Sequence, residues 1–277
     1  MIHWLKPPKS STIAEYVECY WMIEKTSEFD SNNSPKLNPD PSAHLILSPS
    51  YQTYSFDIEG NIIKGHGCHW IYPHHKTFQL DHSKPFIHVG IKFRVGALYS
   101  IELHNYSHPT LDRVEEVTPD IILGVDDISW LIELAKNDPE QCCNQLDDLL
   151  FPWIKKSKQD RHSELVRKSL QLLDTATISE LGDKLFCSQR TLERSFSRVT
   201  GFSLKQCQSM NKLEAMLEYL YLRNSNDINW VEVALMFGFS DQPHLIRYLK
   251  SQLGLTPGSY VKERGLTIDV YGGISSL

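Results

Sequence analysis

The second half of the chain contains a segment written twice, and this repeat restricts the fold more than any other feature. Ile178, Leu181, Gly182, Leu185, Phe186 and Ser188 lie over Trp230, Val233, Ala234, Phe237, Gly238 and Ser240 at a constant offset of 52. Beyond that serine the offset becomes 53, placing Leu192, Arg194, Phe196, Gly201 and Ser203 over Leu245, Arg247, Leu249, Gly254 and Thr256. Self-similarity of this kind marks one supersecondary unit used twice. In each copy apolar residues at i, i+3 and i+7 (Ile178, Leu181, Leu185; Trp230, Val233, Phe237) predict a helix with one buried face. A small residue, Gly182 or Ala234, lets a second helix approach closely. Ser188 or Gln189, and Ser240 or Asp241, are suitable N-caps for that second helix, and Gly201 or Gly254 fits the left-handed position that ends it. The pattern is a tandem helix-turn-helix.

The second helices bury Leu192, Phe196 and Val199, or Leu245, Leu249 and Leu253. What remains outward is Arg190, Arg194 and Arg198 in the first copy, beside Gln189 and Thr191, and Gln242, Pro243, His244, Arg247 and Lys250 in the second. Arginine can read guanine bidentately and glutamine can read adenine, while Lys250 suits a phosphate. On one helix such a row is as readily a solvated face. Two copies need a reason, and recognition helices about 34 Å apart would match successive major grooves of B-DNA. The net charge of −6 argues against a nucleic-acid partner until it is divided. Residues 1–160 carry 14 basic and 22 acidic side chains, whereas residues 161–264 carry 14 and 11. An acidic part precedes a mildly basic one.

The run from Ser188 to Phe196 with Gly201 to Ser203, the stretch Trp230 to Ala234, the stretch Gly238 to Arg247 and the stretch Gly254 to Tyr260 together resemble the DNA-binding domain of the AraC/XylS family of bacterial transcription regulators. The resemblance covers residues 163–264. It implies a connector helix from near Ser203 to about Arg223, with base-reading positions at Arg190, Arg194, Gln242, Pro243 and Arg247. It also implies an activator that works with RNA polymerase in the cytoplasm. Three positions depart from the family pattern: Phe186 replaces the usual turn glycine, Cys207 a favoured tyrosine and Met216 a favoured alanine. Pro243 has no side-chain donor, so the first unit is expected to supply most of the sequence readout.

Upstream the pattern is β. Val17–Ile23, His44–Leu47, Tyr51–Phe56, His69–Tyr72, Thr77–Leu80 and Phe86–Phe93 are short, rich in aromatic and branched residues, and divided by turn signals, predicting a sandwich or barrel. In the last of these Ile87, Val89, Ile91 and Phe93 share one face and His88, Gly90, Lys92 and Arg94 the other. Helical spacing follows in Ile128–Ala135 and Leu146–Leu150, around the break at Asn137, Asp138 and Pro139, and the polar run Lys155–Asp160 reads as a linker. Val89 to Leu98, Leu111 to Val114 and the run to Trp153 resemble the N-terminal regulatory domain of some AraC-type regulators, a small β-barrel with two helices. That resemblance implies an effector or a protein partner, and helices that dimerise.

Each candidate site here has a plainer alternative. His66, His69, His74 and His75 could bind a metal in a cupin-like enzyme, yet no His-x-His followed by Glu at ligand spacing occurs, and loop histidines are the better reading. His88, Lys92 and Arg94 could hold an anionic effector, against an outward solvated face as the favoured reading. Trp130, Ile132 and Leu134, or Leu146, Leu149 and Leu150, could form a homodimer seam, though packing on the barrel demands the same stripe. No nucleophile–base pair or phosphate-cradling glycine loop stands out, no cofactor is implied, no apolar run reaches the roughly 18 residues of a membrane span, and the six cysteines read as reduced thiols.

The expected fold class is therefore α+β: a small cupin-like β-barrel over residues 1–118, a helical region and candidate dimerisation region at 119–158, an AraC-type domain at 159–264 with units at 178–200 and 230–253, and a tail at 265–277. The expected function is sequence-specific binding of double-stranded DNA in transcription regulation, governed by a small effector or protein partner. The alternative is a metal-dependent cupin-like enzyme fused to a DNA-targeting domain.

Overall fold

The computed structural model describes residues 2–26, 33–101, 108–173, 176–221, 223, 227–253 and 256. The first part contains β1 (Ile2–Lys6), α1 (Ser11–Ala14), β2 (Val17–Lys25), β3 (Lys36–Leu37), β4 (His44–Leu47), β5 (Thr53–Ile58), β6 (Asn61–His66), β7 (His69–Ile71), β8 (Phe78–Leu80), β9 (Phe86–Phe93), α2 (Ala97–Ile101) and β10 (Val114–Glu116). Then come α3 (Pro119–Leu123), α4 (Ser129–Asn137) and α5 (Pro139–Ile154). The remainder is helical: α6 (Arg161–Leu172), α7 (Ile178–Lys184), α8 (Gln189–Thr200), α9 (Leu204–Tyr221), α10 (Trp230–Met236) and α11 (Gln242–Leu253).

The strands form two antiparallel sheets, one in the order β1-β2-β9-β4-β7-β10 and one in the order β3-β8-β5-β6. Between them pack Trp21, Ile23, Ile46, Phe56, Phe78 and Phe86. The outer face of the larger sheet carries Val89, Ile91 and Phe93, which pack with Leu131, Ile132, Ala135, Leu146 and Leu150 of α4 and α5. The fold class expected from the sequence is present, built from two facing sheets that do not close into a complete barrel.

Strand β9 lies in the middle of the larger sheet and is covered on both faces. The favoured outward, solvated reading of His88 and Lys92 is therefore overturned: both are buried, Lys92 to 1% exposure, and of the three only Arg94 is exposed. Alternation separates two faces of a strand, but it does not say whether the polar face meets water or a second sheet. The loop reading of the histidines holds for His74 and His75, which lie between β7 and β8, and is corrected for His66, which ends β6, and His69, which begins β7; His69 and His74 are buried. Ile132, Leu146 and Leu150 are buried in the core under the larger sheet, with Leu134 and Leu149 against them, leaving Trp130 42% exposed.

Two further clusters build the helical part. Val166, Leu181, Leu192, Phe196 and Val199 pack with Leu204, Cys207 and Met210 from the first half of α9. Val233, Ala234, Leu245, Leu249 and Leu253 pack with Leu213, Met216, Leu217 and Leu220 from its second half. One helix thus supplies part of each core, which fixes the two units relative to each other as the connector expectation requires. The linker is pinned rather than loose: the Lys158 amide donates to the Ser100 carbonyl at 2.7 Å, and Asp160 caps α6. Gly254, Pro257, Tyr260 and the tail 265–277 lie outside the described residues. Among the described residues no helix is long and apolar enough to cross a membrane.

Candidate nucleic-acid interface

The first repeat folds for the reasons its sequence suggests. Ser188 Oγ accepts from the Thr191 amide at 3.2 Å and starts α8, and Gly201 ends it at φ 79°. A Cβ on Gly182 would stand 2.9 Å from the Cys187 carbonyl oxygen, so the close approach of α7 and the turn in this copy is fitted to a glycine, where the second copy carries Ala234. In the second repeat Asn229 caps α10, and Asp241 Oδ1 accepts from the His244 amide at 2.7 Å. The two turns are matched in backbone: Phe186 has φ 52° where the other copy has Gly238 at φ 67°.

With Leu192, Phe196, Val199, Leu245, Leu249 and Leu253 turned inward, Gln189, Arg190, Arg194 and Arg198 on α8 and Pro243, His244, Arg247 and Lys250 on α11 are exposed, while Thr191 and Gln242 are half-buried. The three arginines of α8 are not equivalent. Arg198 Nε donates to the Tyr99 hydroxyl at 2.9 Å, and that hydroxyl donates to Asp160 Oδ2 at 2.8 Å. The far end of the recognition helix is thus tied to α2 of the N-terminal part.

His88, Lys92 and Arg94 do not form one site. His88 faces a cavity of about 760 Å³ at one end of the space between the sheets, lined also by Tyr54, Phe56, His69, His82 and Phe86. Ser48 Oγ is hydrogen-bonded to His88 Nδ1 at 2.6 Å, and the Tyr54 and His69 rings lie 3.9 Å apart. Burial holds the His69 imidazole at about 4, with its hydrogen bond to the Gly67 carbonyl opposing the shift only weakly; burial likewise holds His82 at about 4 and His88 well below its ordinary range. At neutral pH the aromatic rings and uncharged imidazoles form one part of this cavity's wall, and Glu24, Lys25, Lys64, Asp81 and Lys84 bring charge to the rest.

Lys92 points to the other end. Its Nζ lies 2.7 Å from Glu214 of α9, 3.3 Å from Glu18 and 4.0 Å from Asp40, and His44 Nε2 lies 3.0 Å from Asp40. Burial works against the ammonium, but Asp40, Glu214 and Glu18 more than reverse it and keep Lys92 charged. Burial pushes Glu214 up to about 7; Lys92 offsets part of the rise, and Asp40 and Glu18 add to it. Arg94 stands apart, donating to the Ala14 carbonyl at 2.7 Å.

The other histidines are spoken for separately. His66 pairs with Glu116, His75 with Asp112, and His74 Nδ1 bonds the Lys76 carbonyl. Among the described residues no three His, Cys, Asp or Glu side chains gather in a way that could hold a metal. Sequence reasoning missed Tyr99 and Glu214, whose partners lie 99 and 122 residues away. Neither sits in a motif; the only signals available were an aromatic amid a run of small and apolar residues and one of two acids on the connector helix.

Residues 181–263 match a family model described as a helix-turn-helix domain. The C-terminal part is an AraC-type helix-turn-helix domain. Residues 6–110 of the part preceding the AraC-type domain match a model described as a domain of unknown function, DUF6597. Among solved structures the chain is similar to ToxT from Vibrio cholerae, with 10% identity, 88% of this chain and 98% of that one covered, and a TM-score of 0.50. It is also similar to the C-terminal domain of AraT, a response regulator from Geobacillus stearothermophilus, with 22% identity over 38% of this chain and 89% of that one and a TM-score of 0.33. The AraC-like transcriptional activator CuxR shares 10% identity over 76% of this chain and 84% of that one, with a TM-score of 0.29. At these identities the likeness is one of fold. A comparison with curated proteins finds no match.

Proposed function

We infer that this chain is a sequence-specific transcription regulator in which α8 and α11 enter adjacent major grooves and the two-sheet domain senses a small molecule. The observation that carries the DNA-binding half is the outward presentation of Arg190, Arg194 and Arg247, with half-buried Gln242, on the second helix of each unit, above a first helix that supplies core. Arg190 and Arg194 would read bases, Arg247 and Gln242 would contribute less readout because Pro243 beside them offers no donor, and Lys250 would hold a phosphate. Activation through RNA polymerase as the direction of control rests on the resemblance to AraC-type regulators.

For the N-terminal half, the cavity favours a small molecule over a protein partner. Its rings Tyr54, Phe56 and Phe86 and neutral His69, His82 and His88 suit the apolar body of a small ligand, while Lys25, Lys64 and Lys84 in the same wall leave room for a polar or anionic group on it. A metal-dependent enzyme is disfavoured by the separate engagements of His66, His74 and His75.

In vitro selection of bound duplexes, followed by isotherms across salt concentrations, tests the reading. Affinity that falls with salt and a clear preference over random duplex are expected. Salt-independent binding with no preference refutes it. Native mass spectrometry of the purified protein, showing a retained small molecule that His88→Ala releases, is the expected result for the cavity.

A further inference from the structure

Beside the recognition helix lies a cleft of about 310 Å³ lined by Arg161, His162, Arg190, Thr191, Arg194 and Ser195. Its floor is fixed. Ser195 Oγ donates its only proton to the Thr191 carbonyl at 2.8 Å and lies 2.9 Å from His162 Nδ1, so this imidazole nitrogen is the donor of that pair. The imidazole is thereby held against α8 with its other nitrogen free of this contact.

Among the described residues no carboxylate lies within ion-pair distance of Arg161, Arg190 or Arg194. The acids nearest in sequence are engaged elsewhere: Asp160 with Tyr99 and the α6 amides, Glu164 with Lys168 at 2.7 Å, and Glu193 with Gln189 and the Leu204 amide. Both helix starts are already capped, α6 by Asp160 and α8 by Ser188, so the site is made of side chains and not of a helix terminus. Three like charges gathered around one small cleft repel each other until an anion arrives.

The geometry points to this cleft as a seat for one DNA phosphodiester, with Arg161 and His162 of α6 clamping the backbone beside the groove that Arg190 and Arg194 enter. The inference rests on the DNA-binding reading and extends it to a helix outside both repeat units. Arg161 is then a positioning residue: it fixes register on the duplex and adds no base preference.

The test is the slope of log affinity against log salt for the full chain on a random-sequence duplex and on duplexes selected from a random pool. Arg161→Ala is expected to reduce the slope by about 0.9, so that its deficit relative to the unaltered protein changes about 3-fold between 50 and 200 mM salt, equally on both duplexes. Arg161→Lys retains the slope. Arg167→Ala, on the same helix but 3.8 Å from Glu15, leaves it unchanged. An unaltered slope in Arg161→Ala, or a changed base preference, overturns the inference while leaving the DNA-binding reading intact; an unaltered protein without salt-dependent binding overturns both. Pyrophosphate that raises the melting temperature of the unaltered protein but not of Arg161→Ala, with duplex slopes equal, would assign the cleft to a free anion and overturn the duplex source.

Discussion

Gly90 sits in the central strand β9 with the Trp21 indole lying across it, in the space a methyl group would occupy. Trp21 is fully buried between the sheets and has nowhere to move, so Gly90→Ala is expected to destabilise the N-terminal part by about 1–3 kcal/mol, measured as a lower urea midpoint at unchanged m. Phe186 presents the reverse case. Its backbone is left-handed, its ring is 95% exposed, and the other repeat uses glycine at the same place. The left-handed conformation costs a non-glycine residue about 1–2 kcal/mol, partly offset in a comparison with glycine by the latter's larger entropy loss. Phe186→Gly is expected to stabilise the helical part by up to about 1 kcal/mol in the same assay. On the recognition helices, Arg190→Ala or Arg194→Ala is expected to relax base preference more than Gln242→Ala or Arg247→Ala, with about 1–3 kcal/mol lost per bidentate contact in a binding selection. Equal or inverted losses would remove the asymmetry assigned to Pro243.

At the scale of elements, α8 is divided along its length. Its first turns meet solvent and the arginine cleft, whereas its last turn is held by the N-terminal part: Arg198 bonds Tyr99, and a Cβ on Gly96 would crowd the Val199 side chain. Tyr99 therefore restrains a cation of the recognition helix and, through Asp160, touches the cap of α6. Tyr99→Phe removes both hydrogen bonds while keeping the ring in its packing. Duplex affinity at low salt is expected to rise severalfold and the salt slope to steepen by about one released counterion, read by fluorescence anisotropy in a salt series. An unchanged isotherm would mean that Arg198 takes no part in binding. The sequence shows why such a contact stays hidden. The helices α7, α8, α10 and α11 are legible because capping, apolar spacing and turn glycines are local rules, and Ser188, Gly182 and Gly201 obey them. The edge strand β6 is not, because Asn61 to His66 do not alternate apolar with polar residues, and the Tyr99–Arg198 and Lys92–Glu214 contacts are made only when distant segments pack.

For the whole molecule, a half-buried acid and a group of buried histidines respond to pH with opposite sign. Glu214, held up to about 7 at the junction of the larger sheet and the connector helix, favours the packed state when protonated. A raised acid contributes stability below its ordinary value of 4.5 and loses it as pH rises through 7, and Glu214→Gln is expected to remove that component. The histidines of the cavity act the other way. His69 and His82 lie at about 4 against an ordinary 6.5 because burial disfavours the imidazolium, so their contribution is fully present above pH 6.5 and is lost as pH falls towards 4. For His69, completely enclosed beside Tyr54, the loss across that window is about 3 kcal/mol. The melting temperature of the N-terminal part should therefore drop steeply between pH 6.5 and 4, and His69→Gln should flatten the drop even if it lowers stability at pH 7. A ligand seated against the neutral imidazoles would bind the unprotonated form, deepening the same acid dependence. A profile as steep in His69→Gln as in the unaltered chain would show that acid sensitivity arises outside the cavity.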